Sequence, residues 1–138
     1  MSSQFNYKTL LIFSLPIVPP PISPLTFRRS RNTTLTAGTS FSLTCIITHN
    51  KIGVDTDIIV ERSIVGNGIS DTDRVNVSLR PVSVGENTYE TTVTFAHLLE
   101  ADTGAYNCSA LVRSPPSQPN VVSSGSSYGS ESISVGRK

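Results

Sequence analysis

Apolar and polar side chains alternate along several short stretches of this chain. In Phe41-Ser-Leu-Thr-Cys-Ile-Ile-Thr48, Phe41, Leu43, Cys45 and Ile47 fall on one face and Ser42, Thr44, Ile46 and Thr48 on the other. A period of two is the mark of a half-buried strand. The same rhythm sets Val75, Val77 and Leu79 together in Arg74–Leu79. It sets Tyr89, Thr91, Val93 and Phe95 together in Tyr89–Phe95, and Tyr106, Cys108, Ala110 and Val112 together in Tyr106–Val112. Asp57–Ile64 reads as a further strand with Ile58, Val60 and Ile64 on one side, and Ile133 with Val135 predicts a short last strand. Turn residues separate the runs at Ala37-Gly38-Thr39, Gly66-Asn-Gly68, Gly85-Glu-Asn87 and Asp102-Thr-Gly104. Short strands at this spacing, with no amphipathic helical stretch, predict an all-β sandwich or barrel. One-sided alternation favours antiparallel sheets that share a core.

The chain has 138 residues, one ordinary domain plus tails. Ser and Thr contribute 21 and 15 of them, and charged residues only 15%, with a net charge of +1. That balance disfavours helical bundles and coiled coils, and it excludes nucleic-acid binding through bulk electrostatics. Ahead of the strands, Thr9–Val18 is apolar but too short to cross a bilayer, so no membrane insertion by this chain is expected. Lys8 and this stretch supply two parts of a secretory signal, but Pro16 interrupts it and no small-residue cleavage site follows. Five prolines then fall within Pro16–Pro24 and favour a stiff, extended spacer. Residues 1–24 are therefore expected to be a leader or Pro-rich linker, and 25–138 the folded domain.

Cys45 and Cys108 are the two cysteines of the chain, each central to its strand and on its apolar side. Free buried thiols are one reading. Two facing sheets would instead bring both inward faces to bonding distance, and a bridge would imply an oxidising compartment. Upstream, Leu43-Thr-Cys45 carries the first cysteine. Downstream, Asp102-Thr-Gly-Ala-Tyr-Asn-Cys108 reads D-x-G-x-Y-x-C. Together they closely resemble the immunoglobulin superfamily, in its variable and intermediate types, over residues 25–137. The resemblance implies a two-sheet antiparallel immunoglobulin-like sandwich with one inter-sheet disulfide. It also implies a Tyr106 whose hydroxyl returns to the backbone at a strand corner. It further implies a turn at Gly104, where the missing Cβ permits positive φ, and an ion pair between Asp102 and Arg74. The cadence Thr36–Cys45, Val54–Asp57, Phe95–Leu98 is similar to that of invertebrate receptor and adhesion ectodomains, sponge receptor tyrosine kinases among them. One departure is plain: there is no Trp, and the family's core Trp position falls near Arg62. Either the register differs there, or Arg62 runs its stem along the core with its head outward.

No nucleophile–base–oxyanion constellation, phosphate loop or metal-ligand spacing is present, so the expected protein is not an enzyme and needs no cofactor or metal. His49 and His97 lie far apart in sequence. The pairs Asp55/Asp57 and Asp71/Asp73 match no calcium-loop spacing and read as solvated loop carboxylates. Arg113-Ser-Pro-Pro-Ser-Gln-Pro119 matches a ligand pattern of proline-binding domains but reads here as a stiff loop shoulder. Glycan sequons occur at Asn32, Asn76 and Asn107. Asn32 is the best acceptor, Asn76 points to a polar strand face, and Asn107, beside a cysteine, is the poorest.

The resemblance makes recognition or adhesion at the cell surface the leading expectation. The partner would be a protein ligand or a like molecule on another cell, met by loops at one end of the sandwich. Arg113–Ser130 reads as a long loop ending in a Ser/Gly-rich run around Tyr128, a composition found in binding loops and equally in idle ones. With the loops Thr48–Thr56 and Val65–Asp73 it gives the candidate contacts Arg113, Tyr128, His49, Lys51 and Asn67. The alternative is a spacer domain of a larger receptor.

Overall fold

The computed structural model describes residues 22–49, 59–80, 87–117 and 124–138. The expected strands form where the alternation places them: β3 (Phe41–Thr48), β4 (Ile59–Val65), β5 (Val75–Leu79), β6 (Thr88–Phe95) and β7 (Gly104–Arg113). Four more strands are β1 (Thr26–Arg29), β2 (Leu35–Thr36), β8 (Gly125–Ile133) and β9 (Val135–Gly136); the short last strand expected at Ile133 and Val135 is thus divided between the end of β8 and β9. One antiparallel sheet has the order β1-β3-β6-β5, and the sheet facing it has the order β4-β7-β8. A separate two-stranded sheet pairs β2 in parallel with β9. Cys45 on β3 and Cys108 on β7 join the two sheets, with Sγ atoms 2.04 Å and Cα atoms 6.6 Å apart. Four plus three strands, tied across the middle, is the seven-strand immunoglobulin arrangement. The fold is therefore an all-β, immunoglobulin-like sandwich.

The inward sets of β3, β6 and β7 are buried throughout. The β5 set is not: Val75 is 5% exposed, but Val77 is 38% and Leu79 48% exposed. β5 is the outer strand of a four-stranded sheet, and the sheet opposite has only three strands, so these two side chains overhang the sandwich edge. Packing reaches into the segment expected to be leader or linker. Ile22 is buried, bridges to His49 across a β-pair, and joins the core. The rest of the proposed leader, residues 1–21, lies outside the described residues.

Arg62 explains how the fold dispenses with the core Trp. The β4–β7 register holds, with Ile64 opposite Cys108 and Arg62 opposite Ala110, so Arg62 does take the inward position. Its head does not turn out to solvent. It crosses to the other sheet, where Nη1 donates to the Glu90 carbonyl at 3.0 Å and Nη2 to the Arg80 carbonyl at 3.2 Å. Its guanidinium carbon lies 5.7 Å from the Tyr89 ring centroid, within cation–π range. A charge inside a sandwich is tolerable when hydrogen bonds meet it. The apolar interior falls into two clusters. Val60 packs with Ile22, Ile47, Tyr89, Ala110 and Val112 on one side of Arg62, and Ile64 joins the larger cluster around Phe95 and Tyr106 on the other. Arg62→Met keeps the stem and removes both carbonyl contacts. It is expected to cost about 1–3 kcal/mol, measured as a lower denaturant midpoint at unchanged m-value.

Candidate functional site

At one end of the sandwich the chain turns through a 3-10 segment, Asn67–Ser70, between β4 and β5, and a second, Glu100–Asp102, before β7. The corner between them is built by Tyr106, Asp102 and Arg74. Tyr106 is fully buried. Its hydroxyl donates to the Asp102 carbonyl at 2.7 Å and accepts from the Gly68 amide at 3.2 Å. The chain can pass this close because Gly68 lacks a side chain; a Cβ there would lie 2.6 Å from the Phe95 ring. Asp102 is 1% exposed and takes a two-pronged contact from Arg74, 2.6 Å to Oδ2 and 2.8 Å to Oδ1. The Leu99 amide also donates to Oδ2, at 2.8 Å. Arg74 further reaches Asp71 Oδ2 at 2.9 Å and the His97 carbonyl at 2.9 Å. The hydrogen bonds to Asp102, ahead of the opposing effect of burial, hold the Arg74 pKa above its usual value. Gly104 has φ +145°, so the turn does use a conformation that L side chains rarely adopt. Tyr106, Asp102 and Arg74 thus spend their polar groups on one another and on the backbone of this corner.

Burial pushes the Tyr106 phenol above its ordinary pKa, and burial does the same at Tyr89. A folded-state pKa above the unfolded one stabilises at every pH below the unfolded value and loses that stabilisation as pH rises through the folded one. Stability is therefore expected to hold from neutral pH to roughly 10, the unperturbed tyrosine pKa, and to fall above it. Urea midpoints measured at stepped alkaline pH, with phenolate absorbance recorded in parallel, test this. The expected result is that the midpoint falls as the buried tyrosines ionise.

The expected contact residues do not gather at one end. Arg113 pairs with Ile59, while Val65, just before the turn carrying Asn67, pairs with Asn107 at the far end of the same ladder. Asn67 thus lies beside the tyrosine corner, donating to the Thr103 carbonyl at 3.2 Å, at the opposite end from Arg113. His49 follows β3 on the Arg113 side but is 0% exposed, so it offers no contact surface. Lys51, with Asp55 and Asp57, lies outside the described residues.

Tyr128 is not in a loop. β8 begins at Gly125, and most of the Ser/Gly-rich run is strand, paired residue for residue with β7. Its inward positions are small because β1 fills the space. A Cβ on Gly129 would lie 3.0 Å from Leu25 Cβ and 3.1 Å from the Phe27 ring. Glu131, also inward, is held across the sandwich by Arg29 at 2.8 Å. Tyr128 points outward and is 68% exposed, with its hydroxyl donating to Asn107 Oδ1 at 3.1 Å.

What the structure brings together is the outer face of the three-stranded sheet. Two rows cross it: Glu61, Leu111 and Ser126, then Ser63, Ser109 and Tyr128. They line a shallow hollow of about 660 Å³. Val65, 62% exposed, and Asn107 continue it at one end. At the other, Arg113 and Glu61 pair at 2.8 Å, so the two charges cancel. Ser63 and Ser109 hydroxyls share a 2.8 Å bond at the centre. Glu61, Ser63, Ser109, Leu111 and Ser126 were missed by sequence reasoning. The signal available was the outward phase of the same alternation that gave the core. The two favoured sequon asparagines lie elsewhere: Asn76 on the exposed side of β5 in the other sheet, Asn32 on the exposed connection to β2.

No family model and no curated protein matches the chain. Among solved structures, the crystal structure titled Dscam1 Ig7 domain, isoform 5, is similar at 16% sequence identity and a TM-score of 0.46, covering 85% of this chain and 96% of that one.

Proposed function

We propose that this immunoglobulin-like sandwich is an extracellular recognition module of a cell-surface protein. In this reading it docks a protein partner on the outer face of its three-stranded sheet. The observation that carries this is the composition of that face. An exposed tyrosine and an exposed leucine stand among serines on a rigid sheet, with their one nearby charge pair neutralised. Tyrosine gives a large contact area at a small entropy cost, and serines adapt as hydrogen-bonding groups. Held on strands, these side chains lose less freedom on binding than the same residues in a loop would. The disulfide supports the extracellular part of the reading, because such bonds persist in oxidising compartments.

A multivalent form of the chain, tested for binding against a panel of ectodomains that includes itself, examines this directly. Leu111→Asp and Tyr128→Ser are expected to weaken binding about tenfold or more each, as truncation of central interface anchors does, with melting temperatures close to the parent's. Binding that ignores both substitutions would move the contact to the loops. A folded chain that binds nothing would favour a spacer.

A further inference from the structure

We propose that Asn107 is a third N-glycan acceptor, occupied in only part of the molecules, so that the chain exists with its three-stranded face either bare or covered. This rests on the extracellular reading above. Asn107-Cys108-Ser109 is a complete sequon. Asn107 lies on the outward side of β7, between Val65 on β4 and Ser130 on β8, both exposed. Its Oδ1 accepts the Tyr128 hydroxyl at 3.1 Å. The sugar would be carried by the other atom of the amide, Nδ2, so an attached glycan leaves the Tyr128 contact available and stands beside it.

Partial occupancy follows from the middle residue of the sequon. Cys108 bonds to Cys45, which lies 63 residues earlier and is already synthesised when Asn107 appears. Closing that bond fixes Asn107 in a ladder between two strands, where its backbone is held on both sides and can no longer bend into the transferase site. Glycan transfer and disulfide closure therefore race. In the transfer, Nδ2 attacks the anomeric carbon of an oligosaccharide carried on a polyprenyl diphosphate. The N–C bond forms, the C–O bond to the diphosphate breaks, and the polyprenyl diphosphate leaves with the electron pair. One amide proton passes to the transferase base, and nothing is oxidised or reduced. A bulky, solvated chain at this position covers Tyr128 and the central serines, whereas glycans at Asn32 or Asn76 would leave them clear.

The test uses the full chain directed into the secretory route of a eukaryotic cell, with glycopeptides mapped after enzymatic conversion of glycosylated Asn to Asp. Asn107 is expected in both bare and glycosylated forms. Among newly made chains, its occupancy should rise at least about twofold when reductant is present during synthesis. Ser109→Ala should abolish it without altering Asn107. In the purified glycosylated fraction a tyrosine-directed reagent should label Tyr128 more slowly than in the bare fraction. Asn107 bare with and without reductant, whatever is found at Asn32 and Asn76, overturns the proposal. Occupancy indifferent to reductant overturns the race, and equal labelling of Tyr128 overturns the covering. Absence of the chain from the secretory route of its own cells would instead sink the extracellular reading, while the measured occupancies would still stand.

Discussion

Replacing both Cys45 and Cys108 by alanine lowers the stability of the fold by about 4 kcal/mol. The bond closes a loop of 63 residues in sequence, and freeing that loop returns configurational entropy to the unfolded chain. A domain of this size is stable by roughly 5–15 kcal/mol, so the change removes a large fraction of the total. The position of the bond adds to the effect. The two apolar clusters lie to either side of Arg62, and the disulfide ties β3 to β7 in the middle of the sandwich. The chain has no Trp, so unfolding is followed by circular dichroism or tyrosine fluorescence in urea. The double variant is expected to unfold at a much lower urea concentration. A loss below about 1 kcal/mol would show that the sheets hold together by packing alone.

Asp102→Ala is expected to cost about 3–5 kcal/mol, the range for breaking one side of a buried ion pair. Arg74 is left 8% exposed with its two-pronged partner gone, and the Leu99 amide loses its acceptor. The contrast is the Arg28–Glu90 pair, 3.2 Å apart but with Arg28 58% exposed; Glu90→Ala there should change stability by about 1 kcal/mol or less. Replacing Asp102 and Arg74 together by Leu and Met, of similar volume, should recover part of the loss. Denaturant midpoints for Asp102→Leu, Arg74→Met and the double variant give the coupling energy. Independent, additive effects would mean that the pair does not act as a unit.

The parts of the fold that were legible in the sequence are those whose inward positions are large and apolar. Apart from Thr91 and Ala110, β3, β6 and β7 carry Phe, Leu, Val, Ile, Tyr and Cys at every second place, and those residues share the inward face as expected. β8 carries Gly125, Ser127, Gly129 and Glu131 on its inner side before the buried Ile133, so only its last residue shows in the apolar pattern. Its burial is supplied by Leu25 and Phe27 of the neighbouring edge and by an ion pair, which are long-range facts. β1, with two arginines among its four residues, is silent for the same reason. At Arg62 the sequence pointed to a difficulty and the strand register survived it, because the acceptors were main-chain carbonyls, which no side-chain pattern displays. Of the tyrosine corner, the resemblance gave Tyr106, Asp102, Gly104 and Arg74, which lie within a short motif and one upstream arginine, but not Gly68 or the Leu99 amide, which only the fold brings there. The candidate face was not, because its residues become neighbours only when β8 is recognised as a strand.

The parallel contact of β2 with β9 has a mechanical consequence. In a parallel pair the chain enters at one end of the contact and leaves at the other. Tension passed along the polypeptide would load the bonds of Leu35–Thr36 with Val135–Gly136 in shear, all at once. Once they slip, only segments ahead of Cys45 and beyond Cys108 can pay out, because the covalent link bypasses everything between. A pulled molecule would give up this contact first and then the ladders of β1 and β8, while the stretch between the two cysteines stays locked.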